Sequence, residues 1–162
     1  LPSKDALLDA IVEAVMAEIE LDDDDQQAPA EERILRAAGS YRDAMLSHAR
    51  ALPVVLSRSP STPAAMRPVE VLLGILVDAG LTPAQAMAGM NTIATAVRGL
   101  VGMAAGRGDG SPSVEQPADT AVRYPEDESP HLRGTPVRTE DFLGADFEFG
   151  IRALARGLIA SA

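Results

Sequence analysis

Apolar positions along the chain recur at helical rather than alternating spacing. Leu7, Leu8, Ile11, Val12, Val15, Met16 and Ile19 form one stripe, with Asp9, Glu13 and Glu20 on other faces, and predict a helix over residues 3–20. Ser3 is placed to cap it, and Asp5 suits the positive end of its dipole. A second helix opens with Glu31 and Glu32 and aligns Ile34, Ala38, Tyr41, Met45 and His48. Pro53 limits the segment with Leu52, Val54, Val55 and Leu56 to a turn or two. Thr62 and Pro63 start the next helix, which carries Met66, Val69, Leu72, Leu73, Leu76 and Val77, has Pro68 as a kink point, and ends at Gly80. Thr82, Pro83 and Gln85 form a capping box ahead of a long helix that runs to about Ala105. Residues 106–138 are rich in Gly, Pro, Ser and charge, and predict a long flexible loop with at most one short helix around residues 113–124. A last helix starts near Asp146 and runs to the C-terminus. No segment reads as a strand, so the predicted class is all-α.

The long helix and the last helix each have two apolar faces. On the long helix Met87, Met90, Ala94, Val97 and Val101 make a bulky side; Ala88, Gly89, Thr92, Ala96, Gly99 and Met103 make an opposite side of mostly small residues. The last helix pairs Phe147, Ile151, Leu154 and Leu158 with a flat stripe of Gly150, Ala153, Gly157 and Ala160. A helix apolar all round is buried on both sides. Glycine inside a helix costs up to about 1 kcal/mol relative to alanine, so its repeated use points to close helix approach. Two explanations are open: tight packing inside one subunit, or a self-complementary interface between two copies.

Composition narrows the function. Apolar residues make up 46% of the 162 positions and aromatics 3%, so Ala, Leu, Val, Met and Ile must fill the core. A net charge of −10 excludes the basic footprint of a nucleic-acid binder. The absence of cysteine excludes disulfide and thiol chemistry and suits a cytoplasmic location. The most apolar stretch, residues 84–105, is interrupted by Gln85, Asn91 and Arg98, unlike a membrane span of about 20 nearly uncharged residues. No nucleophile elbow, metal-binding histidine pair or phosphate loop is present; the glycines at 106, 108 and 110 follow a helix, not a strand. The chain is expected not to be an enzyme and to need no cofactor.

Four segments in order resemble the ligand-sensing half of tetracycline-repressor (TetR) family regulators. Leu1-Pro2-Ser3-Lys4-Asp5-Ala6-Leu7-Leu8-Asp9 is similar to the entry into the connecting helix. Ser40-Tyr41-Arg42-Asp43-Ala44-Met45-Leu46-Ser47-His48 resembles the second sensor helix. Leu81-Thr82-Pro83-Ala84-Gln85-Ala86 resembles the start of the long dimerisation helix, and Phe147-Glu148-Phe149-Gly150-Ile151 with Gly157-Leu158 the last helix. The resemblance implies an effector-binding and dimerisation domain spanning residues 1–162, with the first helix as connector and the N-terminal helix-turn-helix domain not in this chain. It implies a homodimer joined by a four-helix bundle, to which each subunit gives its long and last helices through Ala88, Gly89, Thr92, Ala96, Gly99, Met103, Gly150, Ala153, Gly157 and Ala160. It implies operator DNA binding only through that absent domain, and repression relieved when a small effector binds.

Carried over by position, the effector pocket comprises Ala37, Tyr41, Val55, Leu56, Leu72, Leu76, Met87, Met90, Asn91 and Ala94. Val55 stands where tetracycline-binding members place the histidine that holds the drug's magnesium, and Ala37 where they place an amide-bearing contact. The resemblance therefore implies a more apolar effector, held without metal, with Tyr41 and Asn91 as its few polar contacts. A helical protein-interaction scaffold without a small ligand is the alternative. His48, without visible partners, reads as a structural histidine; His131 reads as solvated; residues 22–25, four acids in a row, read as a solvated loop and not a calcium site.

Overall fold

Local capping chemistry sets most of the helix boundaries. In the computed structural model, which describes residues 3–21, 26–105 and 142–162, no strand occurs among the described residues. Helix α1 (Lys4–Ala17) starts where the Ser3 hydroxyl accepts from the Ala6 N–H. Helix α2 spans Ala30–Ser47, and a single 3₁₀ turn leads into the short α3 (Leu52–Ser57), with Pro53 in its first turn. Helix α4 (Pro63–Asp78) is capped by the Thr62 hydroxyl and ends at Gly80, whose φ of 102° only glycine adopts readily. Helix α5 (Pro83–Ala105) opens with the reciprocal Thr82–Gln85 pair, and α6 (Ala145–Ile159) closes the fold. The predicted loop over residues 106–138, with its short helix, its glycine run and His131, lies outside the described residues, as does the acidic run 22–25.

The core is built from Ile34, Met45, Val55, Leu76, Ile93, Val97, Val101, Phe147 and Ile151, all essentially without solvent contact. A smaller cluster of Val12, Met16, Ile19, Ala44 and Ala65 fastens α1 to α2 and α4. Helix α6 lies against α2 and α5. Glu31 of α2 receives both Arg152 and Arg156 of α6 at 2.8 Å, and these two guanidiniums hold its carboxyl below the ordinary glutamate range, Arg156 most strongly. The Arg42 guanidinium sits over the Phe147 ring, 4.6 Å from its centre, and donates to the Leu143 carbonyl.

One sequence expectation is corrected here. The buried stripe of α5 is Ala86, Gly89, Ile93, Val97 and Val101, so Gly89 belongs to the inside of the subunit and not to its outer small-residue face. The reason is a close approach: a Cβ at Gly89 would stand 3.2 Å from Leu158 Cδ1 and 3.5 Å from Leu76 Cδ1. Asn91, expected as a polar contact of the pocket, is exposed on α5. His48 finds a partner that its sequence neighbourhood did not reveal: its Nε2 lies 2.5 Å from Glu18 Oε2, past the end of α1.

Candidate functional site

Helices α1, α2, α4 and α5 splay enough to leave a cavity of about 320 Å³ between them. That size lies at the lower end of small-molecule pockets, roughly 300–1,000 Å³. Helix α2 contributes Ala37, Ala38 and Tyr41; α4 contributes Met66, Pro68, Val69 and Leu72. Helix α5 supplies Met87, Met90, Asn91 and Ile93, then Ala94, Thr95 and Arg98. Met16 with Ile19 and Leu21 forms the wall on the α1 side, and Ser59 and Pro60 reach in from the α3–α4 connection. Aliphatic and thioether carbons dominate, and methionines adapt their shape to an irregular guest.

Of the ten residues expected at the pocket, the structure gathers Ala37, Tyr41, Leu72, Met87, Met90, Asn91 and Ala94 around this cavity. Val55, Leu56 and Leu76 do not line it. Val55 and Leu76 have no exposure and belong to the central core, and Leu56 packs by Gly102. After Pro53 the chain has only about one turn of α3 left, and within it Val55 is buried in the core. Transfer by position missed Arg98 altogether, although it lies one turn beyond Ala94 and two beyond Asn91 on the same face of α5. The expectation of Tyr41 and Asn91 as the few polar groups of the pocket is therefore corrected, since Arg98 joins them with a charge. Arg98 Nε donates to the Tyr41 hydroxyl at 2.6 Å, which supplies the polar partner a half-buried tyrosine requires.

One cavity wall is tied directly to α1. Ser59 and Pro60 belong to residues 58–62, and both flanks of that segment are bonded to acids of α1. Arg58 donates to Asp9 at 2.5 Å and to Asp5 at 2.7 Å. The Glu13 carboxylate accepts the Ser61 N–H at 2.6 Å, the Thr62 N–H at 3.2 Å and the Thr62 hydroxyl. These bonds, the Thr62 hydroxyl first and the Ser61 N–H next, hold the Glu13 carboxyl below its ordinary value of 4.5. A depressed carboxyl stabilises the fold above its ordinary value, and that contribution disappears as pH falls through the lowered one. Replacing Glu13 by alanine is expected to lower the melting temperature at neutral pH, with the gap to wild type closing as the pH drops below 4.5. Thermal unfolding followed by circular dichroism across that range checks it; a gap independent of pH would refute the assignment.

On the outside of α5, Ala88, Thr92, Gly99 and Met103 are exposed, and Ala96 is half-buried against the core. On α6, Ala153, Gly157 and Ala160 are exposed and Gly150 is half-buried. The sequence reading overlooked Phe149, which lies among them with 78% of its surface exposed. Ala153 lies four residues and Gly157 eight residues beyond it, so helical spacing alone carried the signal. Among the described residues no three metal-binding side chains gather, and no helix is long and apolar enough to cross a membrane.

Comparisons with known proteins agree with this architecture. The chain aligns along 99% of its length with the Streptomyces coelicolor TetR family protein ActR in complex with actinorhodin, at 24% identity and a TM-score of 0.84, covering 78% of that chain. A possible TetR family transcriptional regulator from Streptomyces coelicolor A3(2) is 28% identical, with a TM-score of 0.78 over 99% of this chain and 80% of its own. A TetR variant from Acinetobacter baumannii AYE in complex with minocycline aligns at 20% identity and a TM-score of 0.62, over 96% of this chain and 72% of that one. No curated protein sequence matches. Residues 24–161 match the tetracyclin repressor-like C-terminal domain, whose members sense ligands and do not catalyse reactions. With most of its length inside that match and its helices in the same arrangement, the chain belongs to the TetR family of transcription regulators, as a C-terminal ligand-binding domain.

Proposed function

We propose that the chain is the sensing and dimerisation domain of a cytoplasmic repressor, in which a small, largely apolar effector enters the cavity, displaces α1 and relieves repression. The observation that carries this reading is the shared wall. Ser59 and Pro60 face the cavity while Arg58, Ser61 and Thr62 hold α1. A guest that prefers one position of residues 58–62 biases the position of α1, and differential binding is all that such a switch needs. Two copies would meet through the outer faces of α5 and α6, leaving operator contact to a separate segment, as the charge of −10 requires. A formed cavity favours this reading over a scaffold that binds only proteins.

The experiment is a thermal-shift screen of hydrophobic compounds on the purified chain, with and without magnesium. A ligand at a hundred times its Kd stabilises the folded state by about 2.7 kcal/mol. Hits that raise the melting temperature equally with and without magnesium are expected, since no imidazole stands at position 55 and no metal-binding cluster exists among the described residues. Stabilisation that needs magnesium, or none from any compound, would overturn the proposal.

A further inference from the structure

Among the described residues, Arg98 is the charged group in the cavity lining, and its pairing differs from that of five other arginines. Arg33, Arg42, Arg58, Arg152 and Arg156 each reach a carboxylate. Arg98 spends its Nε on the Tyr41 hydroxyl, a neutral group, and among the described residues no carboxylate joins it. Among the described residues nothing accepts from its terminal nitrogens, which are donors at the wall of a cavity that is otherwise mostly hydrocarbon. A guanidinium withdrawn from water by an apolar guest loses hydration and gains nothing unless the guest brings a counter-charge. The Tyr41 oxygen already accepts from Arg98, so its own proton is free to donate, and the neighbouring cation strengthens it as a donor. Thr95, one turn before Arg98 in the lining, adds a further hydroxyl.

We infer that the cavity is built for a weak organic acid, with a carboxylate or ionised phenol oxygen held by Arg98 and Tyr41 and an apolar ring body against Leu72, Met90 and Ile93. The inference rests on the sensing role proposed above and names the ligand class of that same site. A neutral guest of equal shape would leave the guanidinium without an anion, and an organic cation or a metal chelate with net positive charge would be repelled. The acid supplies two charge-assisted hydrogen bonds where the neutral analogue supplies weaker ones.

The test compares matched pairs of fused-ring compounds: naphthoic and anthraquinone carboxylic acids against their primary amides, titrated calorimetrically at neutral pH into wild type, Arg98→Met and Tyr41→Phe. At least one acid is expected to bind wild type about ten-fold or more tightly than its amide. Arg98→Met should erase that preference, lowering acid affinity about ten-fold or more and amide affinity by less, and the amide binding that remains shows the cavity intact; Tyr41→Phe should reduce the preference in part. Equal binding of acid and amide to wild type, or a preference that survives in Arg98→Met, overturns the inference and leaves the sensing role standing. Failure of every acid and every amide to bind wild type counts against both.

Discussion

Gly99→Leu and Gly157→Leu are expected to leave the subunit folded and to split the dimer. A Cβ at either position meets nothing within 4 Å in its own chain, so the added side chain has room at home. Within the helix the change even helps, because leucine exceeds glycine in propensity by up to about 1 kcal/mol. Any weakening must then come from a partner. In the proposed two-fold interface each substitution occurs twice, and overpacking costs about 1–3 kcal/mol per site. Association should therefore weaken roughly thirty-fold or more. Sedimentation equilibrium at tens of micromolar should give twice the monomer mass for wild type and the monomer mass for the variants, with unchanged helical circular dichroism. A monomeric wild type, or variants that dimerise as wild type does, would refute the interface. Gly89→Leu is the contrasting control: Leu158 stands 3.2 Å from the Cβ it would add, so that change should destabilise the subunit itself.

Phe147→Ala should be the most destabilising single truncation in α6. The ring is 1% exposed and is the largest fully buried side chain among the described residues. Truncating a buried phenylalanine to alanine costs about 3–5 kcal/mol, because the lost burial is joined by a cavity that the core fills poorly. The loss also removes the face on which Arg42 rests, 4.6 Å from the ring centre, and so loosens the seam between α2 and α6. Since α6 also carries Phe149 and the small outer stripe, dimerisation should weaken along with folding. Urea unfolding measures the effect as a lower midpoint with a similar slope. A loss under about 1 kcal/mol would show that α6 does not depend on this anchor.

What the sequence disclosed follows from how local each signal is. Ser3, Thr62, the Thr82–Gln85 pair and Gly80 act within a few residues of themselves, and each cap or turn forms as their chemistry dictates. Helical periodicity likewise located α1, α2, α4, α5 and α6. Errors arose where a residue's role depends on a distant segment. Gly89 looks like its neighbours in sequence, and only the arrival of Leu158 and Leu76 makes it an internal contact. Val55 and Leu76 are as apolar as Leu72, yet the core claims the first two and the cavity the third. Arg98 was read as an interruption in an apolar stretch, because its value depends on Tyr41, 57 positions away.

The central claim is that a small molecule is bound between α1, α2, α4 and α5. A crystal structure of the chain with the strongest stabilising compound from the thermal-shift screen tests it most directly. The account predicts density for the compound enclosed by Tyr41, Leu72, Met90 and Ala94, with Ser59 and Pro60 against it and α1 displaced relative to the ligand-free crystal. Density elsewhere on the surface, with this cavity empty or filled by side chains, would contradict it.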